Sequence, residues 1–291
     1  MKRILVTGAT GTVGNMLVRR LIARGDVDVR AFVRNPDKAA PLREAGADLA
    51  LGTFEDLDSV RAAASNVDTL VLITPSGPDA ATQARAVLAA SWEAGVRKVV
   101  RQSVLRAAPE GPTDNVRQHA QIENDILASG QTYTILRPHY FMQNILSSSQ
   151  NVAGDGKIYY GMGEGRLGMI DARDVAKCAA VCAVSERFDN RILTLTGPES
   201  LSFYDVAGAL TEILNRTITY VPVSLEQVEQ FMRVRGVGAW RARVVRDYAQ
   251  AYSDGWGDFV TGDVERITGH EPRTFEEFAR EILVPSLAAN R

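Results

Sequence analysis

Residues 6–14 read VTGATGTVG. They follow a short apolar run, Ile4–Val6, and lead into a stretch where Val13, Leu17, Leu21 and Ile22 recur at helical spacing. A strand over Ile4–Thr7, a glycine-rich turn and a helix over Val13–Arg24 make the opening unit of an α/β sheet. Gly8, Gly11 and Gly14 are spaced G-x-x-G-x-x-G, close to the dinucleotide fingerprint without matching it letter for letter. The physics is the same. A tight turn favours residues without a Cβ, so the backbone can approach a diphosphate, and unpaired amide N–H groups at a helix start attract that anion. A lone glycine motif says little; at the first strand–helix junction of a parallel sheet it says much.

Outward from that loop, β-branched runs alternate with amphipathic ones. Strands are expected at Val29–Val33, Asp48–Leu51, Thr69–Ile73, Val99–Arg101 and Tyr133–Leu136. One intervening helix should open at Pro36 and close near Gly46, and an alanine-rich one should run from Pro78 to Gly95. Strands buried on both faces between helices of this length specify a Rossmann-type, doubly wound parallel sheet. After Pro138 the pattern loosens. Residues 151–168 are glycine-rich around a short strand, IYYGM. MIDARDVAKCAAVCAV and RILTL return to the large sheet, and Phe203–Leu214 and Ile218–Val221 supply a helix and a strand beyond it. The expected division is a dinucleotide-binding domain of residues 1–137 plus about 167–196. A smaller, discontinuous α/β cap would take about 138–166 plus 197–291.

The chain has 291 residues, a net charge of −2 and an ordinary apolar fraction. No basic face or tail points to nucleic acid. MKRILVTGATG is not expected to be a signal peptide, and no later apolar run is long enough to cross a bilayer. Cys178 and Cys182 sit one helical turn apart without another Cys or a nearby His, so packing rather than a metal site is expected. A cytoplasmic protein follows as the default. A homodimer is compatible with the sequence but not read from it.

The second strand distinguishes between cofactors. NAD-preferring sites end it with an acidic residue on the adenosine ribose, whereas this one ends FVRNP, with Arg34 roughly 20 residues past the glycine loop. A guanidinium there pairs with a 2′-phosphate and stacks on adenine. The bland alternative is an exposed strand-end arginine. NADPH is favoured, with room left for NADH.

Read together, VTGATGTVG, VRNPDKA, LITP, VVRQSVLRAA, TILRPHYFMQN, MIDARDVA, LTGPESLSF and RITGHEPRTFEEFARE resemble the NmrA-like branch of the atypical short-chain dehydrogenases/reductases. That branch takes in type 2 quinone oxidoreductases and triphenylmethane reductase. The resemblance implies that Gly8, Thr10, Gly11, Thr12 and Val13 form the pyrophosphate loop and that Arg34 lies near the 2′-phosphate. It places Thr74 and Pro75 along the nicotinamide-side ribose, Ser103 where the wider superfamily has a catalytic Ser or Thr, and Pro138 to Phe141 against the nicotinamide. Where similar proteins often carry Gly-Asp before an aromatic, this chain has Gly52-Thr53-Phe54. A direct adenine contact by that loop is then in doubt, although Phe54 can still pack on the base.

The helix that usually presents Tyr-x-x-x-Lys reads VRQHAQIEND here. The resemblance puts His119 at the Tyr position and Glu123 at the Lys position. Four residues apart, they share a helix face. A carboxylate beside an imidazole favours imidazolium, so the pair is read as a ribose or structural contact first and a general acid second. His139 follows Arg137-Pro138 where similar proteins carry a small residue. It is either a packed loop histidine or, with Tyr140, Met142 and Asn144, a wall of the substrate pocket. Cap helices around Phe231 and Trp240 would complete that pocket. His270, in the surface-like turn TGHEP, is set aside.

Hydride transfer is the cofactor's chemistry, and the protein supplies alignment and a dry site. Loss of Tyr-x-x-x-Lys points to acceptors that spread the incoming charge, such as a quinone, an enone or an iminium, because an unactivated ketone needs an acid worth about 10²–10⁴ in rate. The leading expectation is an NADPH-dependent reductase of a small conjugated electrophile. The alternative is a non-catalytic sensor of NADP(H).

Overall fold

The computed structural model describes residues 1–289. Among the described residues, eleven strands are interspersed with helices. The first six are β1 (Lys2–Val6), β2 (Val27–Val33), β3 (Asp48–Leu51), β4 (Thr69–Leu72), β5 (Lys98–Gln102) and β6 (Thr132–Pro138). Then come β7 (Lys157–Tyr160), β8 (Arg166–Leu167), β9 (Arg191–Leu195), β10 (Leu201–Ser202) and β11 (Thr219–Pro222). Seven form one sheet in the order β3-β2-β1-β4-β5-β6-β9, every neighbouring pair parallel. The expected Rossmann-type sheet is therefore present, and RILTL returns to it as β9. The chain winds outward from β1 in one direction and from β4 in the other. The strand order reverses between β1 and β4, and sheets of this kind hold ligands beyond the carboxyl ends at such a point.

Helices α1 (Thr12–Arg24), α2 (Ala40–Glu44), α3 (Leu57–Ala64), α4 (Ala80–Glu93), α5 (Asp114–Ala128), α6 (Ser149–Ala153) and α7 (Ala172–Val184) accompany these strands. Strand periodicity sorts the side chains. Ile4, Val6, Val71, Val100 and Leu136 pack with α1 and α7 on one face. Leu5, Leu70, Leu72, Val99 and Ile135 pack with α3, α4 and α5 on the other. The same alternation puts Arg101, two residues past Val99, and Arg137, two past Ile135, on the α5 face.

A third apolar cluster joins Met142, Ile145, Val152, Ile158 and Leu167 to residues of the last hundred positions. Those positions carry α8 (Phe203–Leu214), α9 (Leu225–Val234), α10 (Ala239–Ser253), α11 (Asp263–Thr268) and α12 (Phe275–Phe278). Two small sheets, antiparallel β10-β8 and parallel β11-β7, lie within this part.

Most bounds shift by one or two residues, and two of the shifts have a clear local reason. The helix expected from Pro36 begins only at Ala40, because the Asn35 side chain accepts from the Asp37 and Lys38 amides and builds a turn there instead. β4 ends at Leu72 because the Ile73 amide leaves the ladder to bond the Thr7 hydroxyl at 2.9 Å.

MIDARDVA and the terminal segment prove to be joined. Asp171 caps α7 and is gripped by Arg173 and Gln143. Asp174 holds the Arg273 amide and guanidinium. Cys178 and Cys182 are buried free thiols, and burial raises both well out of reactive range, Cys182 to about 12. Among the described residues no helix is long and apolar enough to cross a membrane, and no cluster of His, Cys, Asp and Glu could hold a metal ion.

Candidate functional site

The loop between β1 and α1 is built for close approach. Gly8 has a φ of +60°, and an added Cβ would lie 3.0 Å from Ile73. At Gly14 a Cβ would sit 2.2 Å from the Gly8 carbonyl oxygen, so only glycine lets α1 seat against the turn. Gly11 caps α1 with extended backbone and no side-chain cap. The first amide to close is Asn15, on the Gly11 carbonyl at 2.9 Å. Among the described residues the amides of Thr12, Val13 and Gly14 have no backbone acceptor, which leaves a cradle of N–H groups beside exposed Thr10 and Thr12. A diphosphate fits that cradle. Val13 itself is buried, so its amide faces the cradle while its side chain joins the core.

Arg34 stands exposed past the end of β2, with no hydrogen bond or ion pair among the described residues. Phe54 stacks on Phe32, rings 6.1 Å apart and 11° from parallel, and remains half-exposed. Thr53 is spent locally, its hydroxyl accepting from the Asp56 amide.

The carboxyl ends of β4, β5 and β6 carry a polar network that the sequence did not reveal. Arg101 is fully buried and donates to the Leu72 carbonyl at 3.1 Å, the Thr74 hydroxyl at 2.9 Å and His119 Nδ1 at 3.2 Å. Its Nε has no partner among the described residues. Burial lowers the guanidinium to about 9, against the pull of Glu123, so it stays a cation at neutral pH. Ser103 is buried and gives its hydroxyl proton to Glu123, its oxygen 3.4 Å from His119 Nδ1. Glu123 is buried too, taking Arg137 Nε at 3.0 and 3.2 Å together with a second guanidinium nitrogen. Pro75 is exposed at the rim.

These contacts correct the expected His119–Glu123 pair. Both residues do face one way, but the sheet beneath supplies each with a different arginine. Burial first, and the Arg101 charge second, push the His119 imidazole well below its ordinary pKa. It is neutral rather than an imidazolium. A guanidinium has only donors, so Nδ1 must accept and the ring proton sits on Nε2. Ser103 and Glu123 were expected at the cofactor. They are buried and committed to each other and to Arg137.

His139 is likewise no proton donor. The ring is 3% exposed. Nδ1 accepts from the Tyr140 amide at 2.7 Å, and Nε2 donates to the Gly257 carbonyl at 2.9 Å. Tyr252 stacks on one side and Phe259 meets it edge-on. Burial holds it near 4 despite the Gly257 bond. Of the two readings offered by the sequence, the packed loop histidine is the one observed.

Tyr140 turns its edge to Phe203 and Tyr252, and burial raises its hydroxyl well above the ordinary range, so it holds its proton tightly. Met142 is 2% exposed within the third cluster, a core residue rather than a pocket wall. Asn144 is exposed, and its carbonyl accepts from the Tyr160 hydroxyl. Pro138 is buried, its carbonyl receiving the Leu105 amide. Phe231 is largely exposed on α9. Trp240 lines a groove of about 390 Å³ with Pro78, Pro109, Arg117 and Gln121, over the face of α5 opposite His119. His270 is exposed, as expected.

Sequence reading missed three residues that bridge the mouth. Ser76, beyond β4, donates to Asn115 at 3.2 Å, and Asn115 donates to the Tyr248 hydroxyl of α10 at 3.1 Å. The signal was present in Tyr248 and Tyr252 of α10 and in Trp256 just past its end, which fall four apart.

Residues 8–186 match the NAD(P)H-binding family. The chain belongs to it. Its relatives include the NAD(P)H azoreductase of Xenophilus azovorans, 34% identical over 278 residues, which span 95% of this chain and 96% of that one. Among solved structures, the NADPH-dependent quinone oxidoreductase QOR2 of Escherichia coli, complexed with NADPH, is 25% identical. It covers 96% of this chain and 99% of its own, with a TM-score of 0.87. The triphenylmethane reductase of a Citrobacter species, at 23% identity, shares the fold with a TM-score of 0.88 over 97% of this chain and 99% of its own. The resemblance to the NmrA-like reductases read from the motifs therefore holds. This family member is an NAD(P)H-dependent oxidoreductase.

Proposed function

We propose that the protein transfers hydride from NADPH to small conjugated acceptors, quinones and azo compounds foremost and enones next. The reduced nicotinamide supplies the hydride. The chain's own residues bind, orient and keep water out. In this reading the amides of Gly11 to Gly14 hold the diphosphate, Arg34 meets the 2′-phosphate, Phe54 flanks the adenine, and Thr74 and Pro75 border the nicotinamide ribose. The tyrosines of α10 close the substrate side. Residues 1–137 with 167–196 act as the cofactor domain and the remainder as the cap. A cytoplasmic setting suits two free buried thiols.

One observation carries the substrate class. Neither the expected general acid nor the polar residues after Pro138 offer a readily released proton. His119 is neutral, both nitrogens of His139 are engaged, and burial raises Tyr140. A site without an acid suits acceptors that delocalise charge, not simple ketones. The test is NADPH oxidation against a panel of quinones, azo compounds, enones and unactivated ketones. Turnover with the first three and none with the ketones is expected. Comparable ketone reduction would refute the class, and tight NADPH binding with no consumption by any acceptor would favour a sensor.

A further inference from the structure

Arg101 has no part in the reading above, yet its placement is costly. A fully buried guanidinium normally meets a carboxylate. Here the nearby Glu123 spends both oxygens on Arg137 and Ser103. Arg101 instead has a carbonyl, a hydroxyl and an imidazole, and leaves Nε unpartnered among the described residues. Glu123 pairs with Arg137 and acts on Arg101 only through space, so Arg101, Arg137 and Glu123 together carry a net positive charge beneath the carboxyl ends of β4 and β5. A residue that breaks the rules of burial without a stabilising return is a candidate for function.

Resting on the proposed reductase activity, we propose that Arg101 is a positioning residue for His119. Together they form a cationic floor that selects uncharged acceptors over cationic ones. Arg101 fixes the ring proton on Nε2, and that N–H has no partner among the described residues, so it is free to donate to a ligand. An uncharged acceptor that takes hydride gains one N–H, O–H or C–H bond and two electrons. Its negative charge appears at the conjugated heteroatom, where the Nε2–H bonds it until a solvent proton completes the reduction. A preorganised donor backed by a fixed charge stabilises that developing anion most. An iminium or a cationic dye is positively charged when it binds and is neutralised only as the hydride arrives, so the same floor repels its approach.

The tests read the geometry and the selectivity separately. ¹⁵N-resolved NMR of the His119 ring should show the Nε2–H tautomer in the NADP⁺-bound protein and a tautomer mixture in Arg101→Met. An Nδ1–H ring or an imidazolium in the parent protein would overturn the proposal. For an uncharged quinone and a cationic dye of matched size, Arg101→Met should cut kcat/KM for the quinone about 10–100-fold. The loss for the dye should be smaller, with NADPH affinity retained. Equal losses for both would also overturn it. If no acceptor is turned over, the proposed function fails on its own, and the ratio of dissociation constants for the two compounds in the presence of NADP⁺ still reports the charge selection. Arg101→Met removes a desolvated charge but leaves the Leu72 carbonyl and His119 Nδ1 without their donor, so its melting temperature should fall modestly while the protein stays folded. If that variant fails to fold, His119→Gln, which keeps an N–H donor, should hold quinone activity within tenfold while His119→Phe loses it. Identical behaviour of those two would sink the proposal.

Discussion

At the residue scale, partners matter more than spacing. His119 and Glu123 were legible as one face of a helix, but which arginine each would meet depends on β5 and β6 across the interface. Nothing in VRQHAQIEND encodes that. Arg101 and Arg137 interrupt apolar strands in VVRQ and TILRP, and a charge inside a buried run was the available signal. Arg137→Met leaves Glu123 buried without its counter-ion and should cost about 3–5 kcal/mol in denaturant unfolding. His139 sets a pH dependence. The folded protein holds it near 4 and the unfolded chain near 6.5. Between those values the unfolded state binds a proton that the folded state refuses. Stability therefore falls as pH drops from about 6.5 to about 4, by about 3 kcal/mol in total. His139→Gln can still donate to Gly257, and its melting temperature should fall less over that window. Arg34→Ala should weaken NADPH about 10–100-fold and NADH hardly at all, since only the former loses a charge-assisted contact. Equal losses in a binding titration would remove Arg34 from the phosphate.

At the element scale, the large sheet was written plainly in the sequence. Fully apolar runs such as Thr69–Leu72 have no other place than a central parallel strand, and RILTL was placed correctly despite following the insertion. Bounds failed where side chains compete with the backbone, as Asn35 does ahead of α2 and Thr7 does at the end of β4. The glycine loop was legible because its constraint is steric and local. Gly14→Ala forces a Cβ to within 2.2 Å of a carbonyl oxygen, so α1 must move off the turn. NADPH affinity should fall at least tenfold, and stability should drop by about 1–3 kcal/mol. Wild-type affinity in that variant would mean that the cradle is not where the diphosphate lies.

Across the whole molecule, the chain joins a cofactor crevice at the β1/β4 switch to aromatic rings from positions 139–259. His139, Tyr140, Tyr248, Tyr252, Trp256 and Phe259 make one connected group. The sequence suggested a cap but not that His139 would anchor it, because the partner carbonyl lies 118 residues away. In the proposed reading the rings and the Ser76–Asn115–Tyr248 bridge close the substrate side beside a floor that offers a hydrogen bond but no strong acid. That combination favours flat, delocalised acceptors. The most direct measurement mixes the protein, preloaded with one equivalent of NADPH, against an excess of an uncharged quinone, and follows the absorbance of the reduced nicotinamide in a single turnover. Decay in one phase, at a rate no slower than steady-state kcat, is the predicted outcome. Bound NADPH that stays reduced throughout would contradict it.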